Sequence, residues 1–277
     1  MANAAHTEPA FTLVELLAVI GTLGILAGLL LPVFNNAKMA AKKIQCINNQ
    51  REMSKTWLMY ADDNNQVVAG NGRFYPPSVD APGWVQGAFY YEPNTNLDNL
   101  LNPKLAQFAS YIKDAKIYKC PTDRKDHIIP ETGAVVPRVR SYAMNSFLGY
   151  RGEYDSRLST GHRIFQSLAQ LSAVSPSDIF LIQDVNPDSI CWPFFGNYMN
   201  GEVFFNFPNA SHRSGGVISF TDGHVEYHRW QDSRTFKPAK QGLPEYGLVD
   251  YHAHSHGSTT NQDLKWQRRH STVAIAR

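Results

Sequence analysis

The sequence lacks the charge imbalance of a nucleic-acid-binding protein. Its 277 residues carry 26 Lys and Arg against 24 Asp and Glu, a formal net charge of +2. A domain that binds phosphate backbones usually has a much larger excess of basic residues. We therefore expect no nucleic-acid partner. The 43% hydrophobic and 12% aromatic content supplies enough apolar material for a globular core and excludes a disordered or collagen-like chain.

The sequence also lacks the short motifs of the common enzyme classes. It has no nucleophile elbow, phosphate-binding loop, zinc-protease helix or kinase set. Asp184, Asp188 and Glu226 could form carboxylate pairs, but the acidic residues of any domain could do the same. Its three cysteines share no CxxC spacing, which excludes a zinc ribbon. We predict that the protein is not an enzyme and needs no cofactor.

One long apolar run is present. Residues 11–34 read FTLVELLAVIGTLGILAGLLLPVF, with Glu15 as the single charged residue, and no second run of this kind occurs. As a helix the run is roughly 36 Å long at about 1.5 Å per residue, and the hydrocarbon core of a bilayer is about 30 Å thick. We predict a single-pass membrane helix. A secretory signal peptide is the alternative, although its apolar part is usually shorter.

Glu15 requires an explanation if the run lies in a membrane. A carboxylate there costs about 2.5–3.5 kcal/mol even on lenient scales, so such groups are usually paired and functional. The residues around it read Ala10, then Phe-Thr-Leu-Val-Glu, then the apolar helix. This pattern resembles the N-terminal signature of type IV prepilins and type II secretion pseudopilins.

The resemblance implies a processing route. In that family a prepilin peptidase cuts on the cytoplasmic side, here between Ala10 and Phe11, and methylates the new amine of Phe11. That amine could pair with Glu15 of a neighbouring subunit, because opposite charges attract strongly at low dielectric. The implied partners are further copies of the chain or related subunits, the peptidase, the inner-membrane secretion or pilus machinery, and membrane lipid.

The same signature sets the expected orientation. Residues 1–10 would be a cytoplasmic leader, and the C-terminal domain would lie in the periplasm or outside the cell. The positive-inside rule alone predicts the reverse, because Lys38, Lys42 and Lys43 follow the span and the leader has no Lys or Arg. The N-terminal motif is the more specific signal, so we expect the orientation that it implies.

The helix is expected to continue beyond the membrane. Across residues 35–65, apolar residues recur at three- and four-residue spacing until a run of Asp and Asn. This pattern predicts one helix of about 50 residues, in which residues 11–34 form the assembly part and residues 35–65 an amphipathic part. Pro32 has no N–H to donate to Gly28, so we expect a kink or a loosened backbone there, with a role in assembly.

The remaining residues, 66–277, predict a single β-rich domain. Their short runs are separated by Pro, Gly and Asn, and long helical periodicity is scarce. The expected fold is α+β and pilin-like, with the long helix packed on an antiparallel β-sheet domain that has long loops. The predicted short helices cover 100–111 and 165–171, and the predicted strands cover 179–185, 216–221 and 224–230.

The clearest local pattern in this domain lies at residues 216–230, GVISFTDGHVEYHRW. Alternating residues flank Asp222-Gly223, which predicts a hairpin with a type I′ turn. His212, followed after nine residues by Asp222 and Gly223, resembles a motif near the C-terminus of many large pseudopilin-like proteins. That resemblance implies no chemistry. We favour a strand-edge histidine and a turn aspartate, with metal ligands or an inter-subunit contact as the alternative.

Two further groups are candidate metal ligands. Asp123 and Asp222 could hold Ca²⁺ with nearby carbonyls, because that ion prefers hard oxygen ligands. His252, His254 and His256 alternate and would share one face of a strand. Loops tolerate short histidine tracts easily, so we predict no transition-metal site.

The cysteines depend on the compartment. Outside the cytoplasm one disulfide is allowed, and Cys46 with Cys120 is our first candidate pair, which would attach the helix to the sheet domain. Sequence does not fix the pairing, and three free thiols, including Cys191, are the alternative.

These observations predict a structural subunit of a type II secretion or type IV pilus-like filament. The alternative is a membrane-anchored extracytoplasmic domain that recognises a glycan or surface partner without polymerising. A third candidate is an enzyme released by signal peptidase. The mature N-terminus distinguishes them, since it would be Phe11 in the first case, Met1 or a later residue in the second, and a residue beyond 34 in the third.

Overall fold

The computed structural model describes residues 12–72, 77–88, 95–128, 133–151, 161–236 and 259–275. The chain divides into two compact units, Met1–Ala41 and Lys42–Arg277. The first contains the N-terminal part of one long helix. The second contains the rest of that helix together with the β-sheets.

The long helix, α1, spans Leu13–Asp63 without interruption, including at Pro32. Its 51 residues confirm the predicted length. Thr12 and Glu15 cap its start: the Thr12 amide donates to Glu15 Oε2 at 2.9 Å, and the Glu15 amide donates to Thr12 Oγ1 at 3.2 Å. This reciprocal pair is a capping box, which satisfies backbone N–H groups that have no partner within the helix.

The first unit is apolar and exposed. Every residue of α1 from 13 to 38 is exposed. Within the described residues, α1 is the one helix long and apolar enough to cross a membrane, and none of its most apolar stretch is buried against protein. This part of α1 is therefore a candidate membrane span or signal anchor.

In the second unit, α1 buries one stripe of side chains. The buried residues recur every three or four positions, as expected for one helix face; they are Cys46, Gln50, Met53, Ser54, Thr56, Trp57 and Ala61. Gln50 Nε2 donates to the Val217 carbonyl at 2.7 Å. The stripe therefore lies on the main sheet, as the amphipathic pattern predicted.

The main sheet has five strands in the order β7-β4-β6-β8-β9. The strands are β4 (Tyr142–Asn145), β6 (Phe180–Asp184), β7 (Phe194–Phe195), β8 (Gly215–Phe220) and β9 (Val225–Arg229). Neighbours are antiparallel except β7, which runs parallel to β4. The α+β class is confirmed, but the sheet is mixed and not wholly antiparallel. Parallel pairing requires a crossover connection, and the long connections of this chain leave room for one.

Both faces of this sheet are covered. Tyr142, Met144 and Val217 pack in the core cluster that contains the α1 stripe, whereas the alternate residues Ala143 and Ile218 pack in a second cluster. Successive side chains of a strand point to opposite faces. Strands β4, β6 and β8 are consequently buried along their whole length, whereas the edge strand β9 is partly buried and ends in an exposed residue.

Short elements surround the sheet. Strand β1 (Asn71–Gly72) pairs in parallel with β5 (Tyr150–Arg151), and β2 (Asp126–Ile128) pairs antiparallel with β3 (Val135–Pro137). Among the described residues, the other α-helices are α2 (Asp98–Leu101), α3 (Leu168–Ser172), α4 (Ser233–Phe236) and α5 (Gln262–Arg269), and 3-10 turns cover Gln107–Ser110, Ala115–Tyr118 and Pro176–Asp178. The predicted helix over 100–111 is wrong. Pro103 disfavours helical backbone at Asn102, so α2 ends at Leu101 and a separate 3-10 turn follows.

The β8–β9 connection differs from the predicted turn. A type I′ turn needs positive φ at both central residues, but only Gly223 has one, at 93°. Gly223 donates its amide to the Phe220 carbonyl at 2.9 Å, and Phe220 donates to the His224 carbonyl at 2.9 Å. The loop is therefore one residue longer, with Gly223 supplying the single left-handed conformation that closes it.

Candidate functional site

Four side chains that are distant in sequence meet in the interior of the second unit. They are Cys46 on α1, Cys120 after the 3-10 turn Ala115–Tyr118, Asp184 at the end of β6, and His212 just before β8. Their ligand-type atoms all lie within 4.8 Å of one another, and all four residues are buried. We call this group the buried cluster.

Local structure explains how each residue reaches this place. Cys46 begins the buried stripe of α1, one helical turn before Gln50. Asp184 is held in register opposite Tyr142 of β4, and its carbonyl accepts the Asn209 amide at 2.9 Å. That bond draws the loop before β8 toward the end of β6. His212 then follows in this loop, where its amide donates to the Gly215 carbonyl at 3.3 Å.

Three short contacts link the four side chains. Cys46 Sγ donates to Asp184 Oδ2 at 3.1 Å, and His212 Nε2 lies 3.2 Å from the same oxygen. Cys120 Sγ lies 3.3 Å from His212 Nε2. The contacts therefore converge on a few atoms in the centre of the group.

Polar groups surround the two sulfur atoms. The Tyr142 hydroxyl donates to Cys46 Sγ at 3.2 Å. Thr122 Oγ1 lies 2.9 Å from Cys120 Sγ, and Asn209 Nδ2 lies 3.9 Å from it. A hydrogen bond that is donated to sulfur, such as the one from Tyr142, favours the thiolate over the thiol.

Burial and hydrogen bonding shift the proton affinities of the cluster. Burial alone would lower the pKa of His212, but its hydrogen bonds to Asp184 and Cys120 outweigh that effect and raise the pKa to about 9. Burial acts to raise the pKa of Cys120, and hydrogen bonds from Cys46 and His212 reverse this and lower it. The pKa of Cys46 is raised well above its usual value, first by burial and then by its contacts with Cys120 and Asp184.

The geometry does not match a cysteine–histidine–aspartate catalytic triad. In such a triad the acid holds one ring nitrogen and the nucleophile contacts the other. Here Asp184 and Cys120 both approach Nε2 of His212, and Nδ1 has no hydrogen-bond partner among the described residues. The cluster can therefore share protons or hold an ion, but it is not arranged to relay a proton to a nucleophile.

A pocket of about 320 Å³ adjoins the cluster. Cys120, Pro121 and Asp123 line one side of it, and Lys116 and Lys119 contribute to its wall. Cys120 thus belongs both to the buried cluster and to the wall of a cavity.

The candidate disulfide between Cys46 and Cys120 is not formed. The structure brings both sulfur atoms into the cluster, within 4.8 Å, but none of the three cysteines forms a disulfide. Cys191 lies elsewhere, in an aromatic cluster with Trp192 and Phe205. The predicted partners, Cys46 and Cys120, do lie together. Their sulfur atoms contact Asp184 and His212 instead of bonding to each other.

The His212–Asp222–Gly223 motif is divided by the fold. His212 is only 2% exposed and lies in the buried cluster, so the expectation of a strand-edge histidine is wrong. Asp222 is the turn residue that we expected, and its Oδ1 accepts the His224 amide at 3.0 Å and lies 2.6 Å from His224 Nδ1. Gly223 closes the same turn.

The acidic residues considered as ligands have other contacts. Asp123 accepts hydrogen bonds from the Ser141 hydroxyl at 2.7 Å and the Lys125 amide at 2.9 Å. Among the described residues, neither Asp123 nor Asp222 belongs to a group of metal-ligating side chains. Asp188 contacts Lys125, and Glu226 lies 3.8 Å from His228, so these two acids pair with basic groups.

Several predicted sites lie outside the described residues. Ala10 and Phe11 of the processing motif are among them, and so are His252, His254 and His256. Glu15 and Pro32 lie within α1, at its capped start and in its exposed part respectively.

Sequence reasoning missed Asp184 as a partner of the cysteines and His212. Asp184 and Cys46 are 138 residues apart, and Cys120 and His212 are 92 residues apart. Two features of the sequence could have indicated this group. Cysteine is scarce, and Asp184 is a polar residue at the end of a buried strand. A charged group buried in this way is costly unless it is paired.

Comparison with known proteins adds no assignment. No family model, no curated protein and no solved structure matches the chain. The function is therefore argued from the residues alone.

Proposed function

We propose that the chain is a pilin-like structural subunit of a type II secretion or type IV pilus-like filament, assembled through its N-terminal helix. The observation that carries the proposal is the contrast between the two parts of α1. Residues 13–34 are exposed and, apart from Glu15 and Thr22, contain no polar side chain, whereas the stripe that starts at Cys46 is buried in a protein core.

An apolar surface of this size is not stable in water. Soluble monomers rarely expose contiguous apolar patches above about 600 Å², and larger ones mark membrane or protein interaction sites. A bilayer would cover the helix before assembly, and neighbouring helices would cover it in a filament. A subunit that moves between these two environments needs a helix that is apolar on all sides, because both environments are apolar.

The capping box gives Glu15 a role before assembly. In the single chain, Glu15 Oε2 accepts hydrogen bonds from the Thr12 amide at 2.9 Å and the Thr12 hydroxyl at 2.8 Å. The carboxylate is therefore satisfied locally while the subunit is alone. In the filament, the ammonium of a neighbouring Phe11 would replace these neutral donors with a charged one, and charge-assisted hydrogen bonds are about twice as strong.

The proposal includes a definite topology. The leader, residues 1–10, would lie in the cytoplasm, where prepilin peptidase removes it after Ala10. The C-terminal domain would lie in the periplasm or outside the cell. The N-terminal motif supports this orientation.

Mass spectrometry of the N-terminus of the protein in the membrane fraction tests the processing step. We expect a mature peptide that begins at Phe11 with one added methyl group. A chain that begins at Met1 would instead support the non-polymerising membrane anchor. A start beyond residue 34 would support release by signal peptidase, and both results contradict the proposal.

A substitution at Glu15 tests the assembly step. Glu15→Ala should still insert in the membrane but yield at least about tenfold less filament, since hydrogen bonds to charged groups contribute about 1.5–3 kcal/mol and 1.4 kcal/mol is a factor of ten. Sedimentation of sheared filaments, with immunoblotting of pellet and membrane, measures both quantities. Glu52→Ala, at an exposed position of the same helix, is the matched control. A normal filament yield from Glu15→Ala would refute the pairing.

A further inference from the structure

The buried cluster has the ligand types of a metal site. It offers two sulfur atoms, one imidazole nitrogen and one carboxylate oxygen, from Cys46, Cys120, His212 and Asp184. Sulfur and imidazole ligands suit zinc, whereas calcium and magnesium prefer oxygen ligands alone. We propose that these four residues bind one Zn²⁺ ion, which fixes the second part of α1 to the sheet. This inference does not depend on the filament proposal.

The distances fit a tetrahedral site. Bonds of about 2.3 Å to sulfur and 2.0–2.2 Å to nitrogen and oxygen place neighbouring ligand atoms about 3.4–3.8 Å apart. The measured separations are 3.1 Å for Cys46–Asp184, 3.2 Å for His212–Asp184 and 3.3 Å for Cys120–His212, and every pair lies within 4.8 Å. These three separations are within a few tenths of an ångström of the expected values, and the remaining pairs exceed them by at most about 1.3 Å.

The contacts of His212 converge on one ring nitrogen. His212 Nε2 lies 3.2 Å from Asp184 Oδ2 and 3.3 Å from Cys120 Sγ. A single N–H cannot point directly at both atoms. A cation at the centre would replace these competing contacts with four bonds that point to one place.

The surroundings suit thiolate ligands. Tyr142 donates to Cys46 Sγ at 3.2 Å, and Asn209 and Thr122 lie at 3.9 and 2.9 Å from Cys120 Sγ. Partners of this kind orient metal ligands and adjust their basicity. Asp184 Oδ1 is buried with no hydrogen-bond partner among the described residues, so the carboxylate can also turn toward the ion without breaking another contact.

The site would be structural and not catalytic. Catalytic zinc keeps one position open for water or substrate, whereas structural zinc is closed by four protein ligands. Here all four residues are buried, with exposures between 0 and 2%. On binding, thiol and imidazolium protons pass to solvent, and the binding free energy adds to the stability of the fold.

Metal analysis of the purified full-length chain in detergent tests the site. We expect about one zinc per chain in the unmodified protein, and less than a tenth of that in Cys46→Ala and in His212→Gln. Cys191→Ala is the matched control, because Cys191 is equally buried but lies outside the cluster, and it should retain the zinc. Equal zinc in all four proteins would overturn the proposal.

A second measurement does not depend on how well the variants fold. The unmodified chain is stripped of metal under reducing conditions and titrated with Co²⁺. A stoichiometric rise of thiolate-to-cobalt charge-transfer absorption, with the visible bands of tetrahedral cobalt, is expected. Absence of these bands would overturn the proposal, and so would a Cys46–Cys120 disulfide found by peptide mapping of the freshly isolated protein, because a disulfide removes both thiolates.

Discussion

Gly149 occupies a position where the fold leaves no room for a side chain. Its φ is +61°, and a Cβ atom there would lie 2.0 Å from the Ala69 carbonyl oxygen. Gly149 also links two segments, because it donates its amide to the Phe165 carbonyl and accepts from the Asn71 amide, both at 2.8 Å. The close approach to residue 69 is therefore fixed by hydrogen bonds on both sides.

Replacement of this glycine should destabilise the domain more than its backbone conformation alone explains. We expect Gly149→Ala to cost about 1–2 kcal/mol for the left-handed conformation and a further 1–3 kcal/mol, approximately, for the steric overlap. Denaturant unfolding of the detergent-solubilised chain measures the difference. Gly161→Ala is the control, because Gly161 has φ +76° but open space around the added atom. Equal losses in the two variants would contradict the argument.

In the buried cluster, residue type indicates which side chains are candidate ligands, but only their positions in the fold decide which of them meet. The free cysteines and His212 were recognisable as candidates from their chemistry. Their common partner, Asp184, is one of many acids in the sequence, and only the register of β6 against β4 and the loop at Asn209 bring it to them.

At the scale of elements, α1 is one helix with two parts, the first apolar and exposed and the second amphipathic and partly buried. Local periodicity predicted one long helix with an apolar part and an amphipathic part, because the spacing of apolar residues on a helix is a property of neighbouring positions. The strands β6, β8 and β9 were predicted to within one residue at each end for the same reason. The turn between β8 and β9 was not, since Asp222-Gly223 is compatible with more than one loop.

Truncation of side chains along α1 tests which face the sheet needs. Trp57 is fully buried in the main core, whereas Met59, two residues later, is 52% exposed. Trp57→Ala should lower the free energy of unfolding by about 3–5 kcal/mol, and Met59→Ala by no more than about 0.5 kcal/mol. Urea unfolding followed by tyrosine fluorescence measures both. Similar losses would mean that α1 does not present this face to the sheet.

At the scale of the whole molecule, the division after Ala41 has a direct consequence. The side chains of α1 that enter the core begin at Cys46, and all of them belong to the second unit. A chain that begins at Lys42 should therefore fold without detergent and retain its tertiary packing. A chain that begins at Lys55 should not, because it lacks Cys46, Gln50, Met53 and Ser54.

Gel filtration and near-ultraviolet circular dichroism compare these two shortened chains. The expected result is a soluble species with an aromatic dichroic signal for the longer one, and aggregation or loss of that signal for the shorter one. A well-packed product from both would show that the helix is dispensable for the sheet domain.

Local side-chain patterns were enough to predict one apolar helix, its amphipathic continuation and strands of a β-rich domain. These follow from side-chain periodicities that neighbouring residues create. The tertiary structure alone decided the parallel position of β7, the coverage of both sheet faces, and the meeting of Cys46, Cys120, Asp184 and His212. Those features join residues far apart in sequence, such as Cys46 and Asp184, which are separated by 138 positions, and their contacts depend on chain path and packing, which no local pattern encodes.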